Sequence, residues 1–511
     1  MRLGSRTTGR GAVPAAALRG AMAFGAALVA SCAVGPDFER PKTDAGDRYA
    51  RTALPAETVA APVDGGAAQR LQPGGDLPAD WWTAFHSPAL DDLVRQACRA
   101  NPNVQAAQAA LRQAQQLAAA QRGTFYPTVQ ASFAPTRQQN AVGTLSPTLS
   151  SGAPVYNLYT AQLAVGYDLD LFGGGRRQVE SLVAQAEQQR FILEATYLTL
   201  TSNVVAAAIQ EASLRAQIDA TQRILAIDEE QLGIMRRENE LGAIAVSDVT
   251  AQEAAVAQAA ATLPGLRRQL AIQRDQLTAL LGRLPAQEPD EIFDLSHLDL
   301  PVQVPLSLPS RLVEQRPDIR AAEAQMHAAS AQVGVAIANL LPQVSLAASY
   351  GGTATRVGEM FSSGNLFWSV GASLTQTLFA GGALVHRKQA AVDALDQAGA
   401  QYRAAVIAAF QNVADSLHAL VFDAEALKAD VEAERATGQS LDYARKAHEL
   451  GAVSYLALLN AEQAYQQAVI ARVQAQANRY ADTAALFQAL GGGWWNRASD
   501  AGESSSAATI E

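Results

Sequence analysis

The chain has 511 residues, more than one ordinary hydrophobic core requires, so two or more structural units are expected. Apolar residues make up 49% of the chain but aromatic residues only 6%, and this alanine-rich composition favours long, closely packed helices over a bulky aromatic core. The net charge of −10 predicts a poor nucleic-acid binder. No window approaches ~20 continuous apolar residues, which indicates that no helix spans a membrane.

The first 31 residues have the features of a cleaved export signal. They contain four arginines and no acidic residue, and a short apolar run leads to VASC, which ends at Cys32. VASC resembles the lipobox of bacterial lipoproteins, in which the cysteine receives a diacylglycerol and becomes the new N-terminus. The sequence therefore predicts a lipid on Cys32, with ordinary signal cleavage near an incidental cysteine as the alternative. Ala33 follows, not the aspartate that retains many such lipoproteins at the inner membrane, and this implies the outer membrane.

The rest of the chain contains an internal duplication. Five landmarks each occur twice and in the same order, among them a helix start, a strand start and an LGA turn. Pro127 and Pro342 are 215 positions apart, and Gly242 and Gly451 are 209 apart. Each copy is predicted to form a helix, a strand, a loop, a second strand, a very long helix, a tight turn and a closing helix.

The duplication and the composition of the connecting segments predict the organisation of the chain. Stretches rich in alanine, proline and glycine are interpreted as linkers, and the serine-rich C-terminus as disordered. The predicted parts are a signal peptide at 1–31, a lipid-anchored N-terminal linker at 32–85, a first repeat at 86–285, an inter-repeat linker at 286–309, a second repeat at 310–492 and a disordered tail at 493–511.

The predicted strands alternate between apolar and polar residues. In 161–171 one face carries Leu163, Val165 and Tyr167, whereas the other carries polar or small residues. The segment 368–378 has the same pattern. Such alternation suits a membrane barrel with a wet lumen, and it equally suits a soluble sheet with one solvated face.

The helices favour the membrane interpretation. The segment 176–240 contains no proline and would extend over about 95 Å as a helix, with a coiled-coil seam of four-three spacing from Leu193 to Leu225. Four strands cannot close a membrane barrel, which needs about eight, and an open sheet in lipid leaves edge groups unpaired at several kcal/mol each. We therefore expect an α+β membrane protein in which several chains pool their strands.

At this point the sequence resembles the TolC-type outer-membrane efflux ducts, specifically the lipoprotein branch that includes OprM and NodT. The resemblance rests on CAVGPDFERP after the lipobox, on LFGGGRR and LFAGG at the two strand ends, on the two LGA turns and on the terminal LGGGWW. It extends from Cys32 to about Trp495. Each motif has low specificity by itself, but the ordered set is specific.

The resemblance implies a homotrimer whose strands form one twelve-stranded outer-membrane β-barrel, continued by a coiled-coil α-helical barrel in the periplasm. Such a duct receives small molecules from an inner-membrane pump through a periplasmic adaptor and releases them outside. It is lipid-anchored in the outer membrane, has no enzymatic activity, and needs no metal or cofactor apart from the lipid on Cys32. The alternatives are a duct for type I protein secretion and a periplasmic structural lipoprotein that forms no channel.

The junctions between strands and helices explain the repeated glycines. Glycine permits the backbone changes that a strand-to-helix junction requires, and proline ends a helix before a strand. Asp168 and Asp170 are predicted on the polar strand face, where they would line the lumen and favour cations, or remain solvated without effect. The junction residues are Gly173, Gly174, Gly175, Gly381, Gly382, Pro127 and Pro342.

The resemblance places the periplasmic gate at the LGA turns. Asp248 matches an aspartate of the closing network, and Gly451 matches the glycine of the second turn. Val453 stands where other members have Arg or Asp. The candidates to replace that charge are Glu240, Glu449 and Tyr455. Independently of any gate, Asp248 is also expected to stabilise a helix N-terminus, beside Ser247 as N-cap.

If Asp248 takes part in closing the duct, Asp248→Ala should loosen the closed state. We expect a higher single-channel conductance than that of the wild type in planar bilayers. An unchanged conductance would count against a gating role.

Overall fold

The computed structural model describes residues 33–42, 48–51, 54–139 and 155–497. Cys32 and the predicted signal peptide lie outside the described residues. The chain divides into two compact units, considered separately below. The first unit comprises Met1–Arg40, Arg112–Glu187 and Ala324–Ala400, and the second comprises Pro41–Leu111, Gln188–Glu323 and Gln401–Glu511.

The elements repeat in order, as the duplication predicts. The helices are α1 (Pro88–Ala100), α2 (Pro102–Arg122), α3 (Gly174–Glu240), α4 (Val246–Leu280), α5 (Pro309–Gln315), α6 (Pro317–Ala338), α7 (Ala383–Glu449) and α8 (Tyr455–Ala489). The strands are β1 (Arg70–Pro73), β2 (Thr128–Gln139), β3 (Val155–Leu169), β4 (Gln303–Leu306), β5 (Gln343–Ala354) and β6 (Leu366–Thr375). The paired helices α3 and α7 have 67 residues each, and α4 and α8 have 35 each.

The first unit contains a four-stranded antiparallel sheet in the order β2-β3-β5-β6. Its register aligns the predicted apolar faces, since Leu163 lies opposite Tyr350, which lies opposite Trp368. These side chains are exposed, and Trp368 retains 75% of its accessible surface. A large apolar face open on this scale requires a non-aqueous neighbour.

The opposite face of the sheet is polar and small. Ser345 and Ser373 face each other across strands with hydroxyl oxygens 2.8 Å apart, and Ser349 and Ser369 repeat this spacing. Asp168 lies on the same face, opposite Ser345 in the register. The sheet therefore has one apolar and one hydrogen-bonding side, as the alternation predicted.

Both sheet edges lack a partner strand within the described residues. β2 and β6 each have one neighbour in the sheet, so each leaves a row of backbone N–H and C=O groups unpaired. These two edges control how the chain can be placed in lipid.

The coiled-coil seam of α3 is buried where the heptads predicted it. Val204, Ala207 and Leu214 are buried, and the same four-three spacing continues past Leu225 to Asp228 and Leu232. Polar residues therefore occupy some seam positions.

On length and composition alone, α3 and α7 each contain an 18-residue stretch apolar enough to cross a membrane. These stretches meet a criterion of length and mean composition only, so the prediction that no helix spans a membrane stays a prediction. Core helices that never enter a membrane meet it too, and 44% of the α3 stretch is buried.

In the second unit, the predicted linkers are partly folded, which corrects two of the sequence predictions. β1 lies in the 32–85 segment and pairs in parallel with β4, which lies in the 286–309 segment. Trp81 and Phe85 are almost fully buried, and the Trp81 ring packs edge-on against Phe487 at 5.7 Å. Residues 54–85 are therefore part of the core and not a free tether, because burial of their aromatic side chains fixes them.

The part of the predicted disordered tail that the structure describes, residues 493–497, is ordered. Trp494–Asn496 forms a short 3₁₀ helix, and the Trp494 indole N–H donates to the backbone oxygen of Gln315 at 2.6 Å. The residues after Arg497 lie outside the described residues.

Candidate functional site

The first strand-to-helix junction is held by Asp170. The carboxylate oxygens of Asp170 accept hydrogen bonds from the backbone N–H groups of Gly175 and Arg176 at 3.0 and 2.9 Å. Asp170 thus satisfies orphan donors at the start of α3 and places a negative charge at its N-terminus. β3 ends at Leu169, so the predicted strand-face position of Asp170 is wrong, whereas Asp168 lies on the polar face.

Close packing explains the glycines of this junction. Gly173 has a φ of 76°, a conformation that L side chains rarely adopt. A Cβ on Gly174 would lie 2.9 Å from the Cβ of Ala338, so α3 and α6 approach too closely for a larger residue. A Cβ on Gly175 would lie 3.2 Å from the Phe125 ring.

The second junction also turns through glycines with positive φ, two in succession where the first has one, but without the packing. Gly381 and Gly382 have φ values of 58° and 84°. A Cβ on Gly381 would meet nothing within 4 Å in this chain, and neighbouring Phe379 is 89% exposed. The second junction therefore lacks the covering that the first one has.

Each of the two prolines stands between a helical segment and the strand that follows it. Pro127 lies directly before β2, and Pro342 lies directly before β5. Both follow the end of a helical segment, as predicted.

The residues that follow Cys32 are bound at the first junction. The N–H of Val34 donates to the backbone oxygen of Phe172 at 3.1 Å. The buried Arg177 guanidinium donates to Asp37 at 2.6 Å and to Glu180 at 2.8 Å. Phe38 stacks on the His327 ring at 4.5 Å. Residues 34–38 are therefore fixed beside the end of β3.

The two LGA turns have the same geometry. Gly242 and Gly451 have φ values of 76° and 73°, and each follows the last turn of a 67-residue helix. The N–H of Ala243 donates to the oxygen of Glu238, and that of Ala452 to Ala447, both at 2.8 Å. These are glycine C-caps, which end a helix by satisfying its last carbonyl groups.

Asp248 lies in the first turn of α4, as predicted. The predicted N-cap, Ser247, is wrong because α4 begins at Val246 and Ala245 occupies the cap position without a side-chain hydrogen bond. In the second hairpin Ser454 is the N-cap of α8, and its hydroxyl accepts from the N–H of Ala457.

Tyr455 ties the two hairpins together. Its hydroxyl donates to the Gln252 side-chain oxygen, and the Gln252 amide donates to the backbone oxygen of Asp228 at 2.9 Å. Tyr455 and Gln252 are buried, and burial raises the pKa of the Tyr455 hydroxyl, so it stays a donor. The negative charge of Asp248 raises the pKa of the Tyr455 hydroxyl further, after the effects of burial, Glu462 and Asp228.

The other gate candidates lie at the turn surface. Glu240 and Glu449 are exposed helix ends that form no ion pair within the described residues. Gly451 is exposed, and the backbone oxygen of Val453 lies 3.3 Å from the His448 ring nitrogen. The replacement of the missing charge at position 453 by Glu240, Glu449 or Tyr455 stays a prediction.

Sequence reasoning missed two buried carboxylates, Asp228 and Glu462. Asp228 accepts from the Gln466 amide at 3.2 Å, and Glu462 faces Arg445 at 3.6 Å. Burial raises the pKa of each, and the Asp228 charge raises that of Glu462 further, against the effect of Arg445. One feature of the sequence could have identified Asp228, because this residue lies at a position that continues the apolar seam of α3.

No group of three or more His, Cys, Asp and Glu side chains that could hold a metal ion occurs in the described parts of the chain.

The comparison with known families decides what the two repeats represent. The profile described as "Outer membrane efflux protein" matches residues 93–283 and 308–492, one match for each repeat. The chain belongs to this family. The predicted outer-membrane location and efflux-channel function are thereby confirmed.

Individual relatives are similar to this chain over most of their length. The pyoverdine export outer membrane protein OpmQ of Pseudomonas putida is 30% identical over 418 residues, which cover 81% of this chain and 88% of that protein. The toluene efflux pump outer membrane protein TtgC of Pseudomonas putida is 28% identical over 492 residues, covering 96% and 98%. The solved outer-membrane channel OprN has a TM-score of 0.79 at 30% identity, covering 91% of this chain and all of that one. The predicted fold class is confirmed.

The Asp170 cap can be tested against Asp168, its neighbour on the strand. Asp170→Ala should cost about 1 kcal/mol of local stability, because two N–H groups lose their acceptor. Hydrogen exchange of peptides covering 173–180 should become roughly fivefold faster. Asp168→Ala, which caps nothing, should leave these rates unchanged. Equal protection in both variants would contradict the cap.

Proposed function

We propose that three copies of this chain form a passive exit duct for small molecules in the outer membrane, supplied by an inner-membrane pump through a periplasmic adaptor. The observation that carries this proposal is the sheet with two unpaired edges and one exposed apolar face. In hydrocarbon each unpaired backbone group costs several kcal/mol, so the edges must meet other strands.

Barrel size favours three copies over two. Two copies would supply eight strands, and an eight-stranded barrel is just wide enough for its own side chains. Three copies supply twelve strands and leave a lumen. In this arrangement β6 of one copy pairs with β2 of the next.

The duplication supplies a template for the contact between copies. Within one chain, β3 and the start of α3 from the first repeat pack on α6 and β5 of the second. The same contact between chains would place β6 and the start of α7 on α2 and β2 of the next copy. The second junction, which is uncovered in one chain, would then be covered as the first one is.

Residue sizes at the two contacts are complementary. Gly174 meets Ala338 within the chain. The equivalent of Gly174 at the start of α7 is Ala383, and the equivalent of Ala338 after α2 is Gly123. In the contact between copies, the alanine would come from the start of α7 and the glycine from the segment after α2. One methyl group would therefore again pack against a glycine. A Cβ on Gly123 meets nothing within 4 Å in a single chain, so space for this partner is present.

The N-terminal anchor fits the same arrangement. Ala33 packs against Gly173 at the end of β3, so a lipid on Cys32 would enter the membrane beside the strands. The names of the relatives OpmQ and TtgC refer to pyoverdine export and toluene efflux, which supports small-molecule cargo over protein secretion.

Paired cysteines test the proposed contact directly. Gly123→Cys combined with Ala383→Cys should crosslink into dimers and trimers under mild oxidation, measured by non-reducing electrophoresis of membranes. The control pair is Gly358→Cys with Ala383→Cys. Gly358 is also in open space but lies beyond the far end of β5, about 40 Å of strand away. Crosslinking in the control alone, or in neither pair, would contradict the contact.

A bulky residue at Gly123 tests the duct function. In cells that lack their own exit channel, coexpression of the chain with its pump and adaptor should lower ethidium accumulation severalfold. Gly123→Trp should abolish this effect because it blocks the contact between copies without clashing inside one chain. Gly358→Trp, at an equally open position, should retain it. Unchanged accumulation in cells with wild-type chain would support the non-channel scaffold instead.

A further inference from the structure

A cavity of ≈ 250 Å³ lies in the second unit between α3, α7 and α8. Ile224, Ile227, Leu441 and Tyr465 give it apolar walls. Its volume is below the ~300–1,000 Å³ typical of drug-sized sites, so it suits a ligand smaller than a typical drug. Ile227 is 53% exposed, so the cavity has access to solvent.

The charges around this cavity are predominantly negative. α3 contributes Asp228, α7 contributes Asp442 and Arg445, and α8 contributes Glu462. Three carboxylates therefore face one guanidinium.

Glu462 is the group that lacks a full set of partners. It is only 5% exposed, and its Oε2 atom is buried without a hydrogen bond, whereas its Oε1 atom faces Arg445 at 3.6 Å. A buried carboxylate oxygen without a donor costs about 1–3 kcal/mol or more. A cationic donor placed in the cavity would remove this cost.

A glycine maintains the space. Gly438 lies in the interior of α7, where glycine costs about 1 kcal/mol relative to alanine. A Cβ there would lie 3.3 Å from the Tyr465 ring, so a larger side chain would push that ring into the cavity or fill it. Gly438 therefore lowers the local stability of α7 but leaves the space that the cavity occupies.

We propose that this cavity, the α3–α7–α8 cavity, binds a small organic cation whose ammonium group donates to Glu462 and Asp228 and whose apolar body packs on Tyr465 and the isoleucines. The ligand contacts all three helices, so it stabilises the hairpin arrangement described above relative to any arrangement that separates them. The site lies within one chain and does not depend on assembly of the duct.

Benzylammonium is the probe, and near-isosteric, neutral benzyl alcohol is its control. Titration calorimetry on the full chain in detergent should give saturable benzylammonium binding in the millimolar range. Benzyl alcohol should bind at least about tenfold more weakly, because a charge-assisted hydrogen bond is lost.

Variants locate the binding. Glu462→Gln should weaken benzylammonium binding about tenfold or more, and Gly438→Leu should abolish it by filling the cavity while improving helix propensity. Glu425→Gln removes an exposed carboxylate of α7 that does not line the cavity, and this variant should bind like the wild type. The proposal is overturned by absent binding in the wild type, by equal binding of benzyl alcohol, or by unchanged affinity in Glu462→Gln.

Discussion

Backbone hydrogen bonding at the sheet edges constrains the rest of this protein. β2 and β6 each present unpaired N–H and C=O groups, and the face between them is apolar and exposed. Water could satisfy these groups, but lipid cannot. A chain that places this sheet in a membrane must therefore join its edges to those of other copies. Residues 33–38, which pack at the first junction, and the repeated junctions themselves fix the positions of the strand ends.

Because the chain is duplicated, one type of contact can serve both between the two repeats and between two copies of the chain. The contact between repeats already solves the packing of a strand end and helix start against a neighbouring helix and strand. The same solution can serve between chains, with Ala383 and Gly123 replacing Gly174 and Ala338. In the proposed arrangement, the exposed Phe379 and the open space beside Gly381 and Gly123 would lie in the interface between copies.

The hairpins in the second unit use buried polar groups where a coiled coil would use apolar ones. Asp228 occupies a seam position of α3, and Gln252 and Tyr455 bridge α4 and α8 beside it. Burial of polar groups costs desolvation energy. Hairpins that are held together by such groups are therefore less stable than hairpins with an all-apolar seam. Departures from local sequence rules of this kind are expected where a protein must move or bind.

The sequence alone determined the features that depend on local periodicity. It predicted α3 from 176 against an observed start at Gly174, and the apolar and polar faces of the strands within 161–171 and 368–378. Family membership followed from ordered motifs. Tertiary structure decided the rest, because Asp170, Trp81 and Glu462 take their roles from neighbours that spacing cannot reveal. Asp170 caps α3 instead of lining a strand, residues 54–85 join a core through Phe487, and Asp228 meets Glu462 across more than two hundred positions.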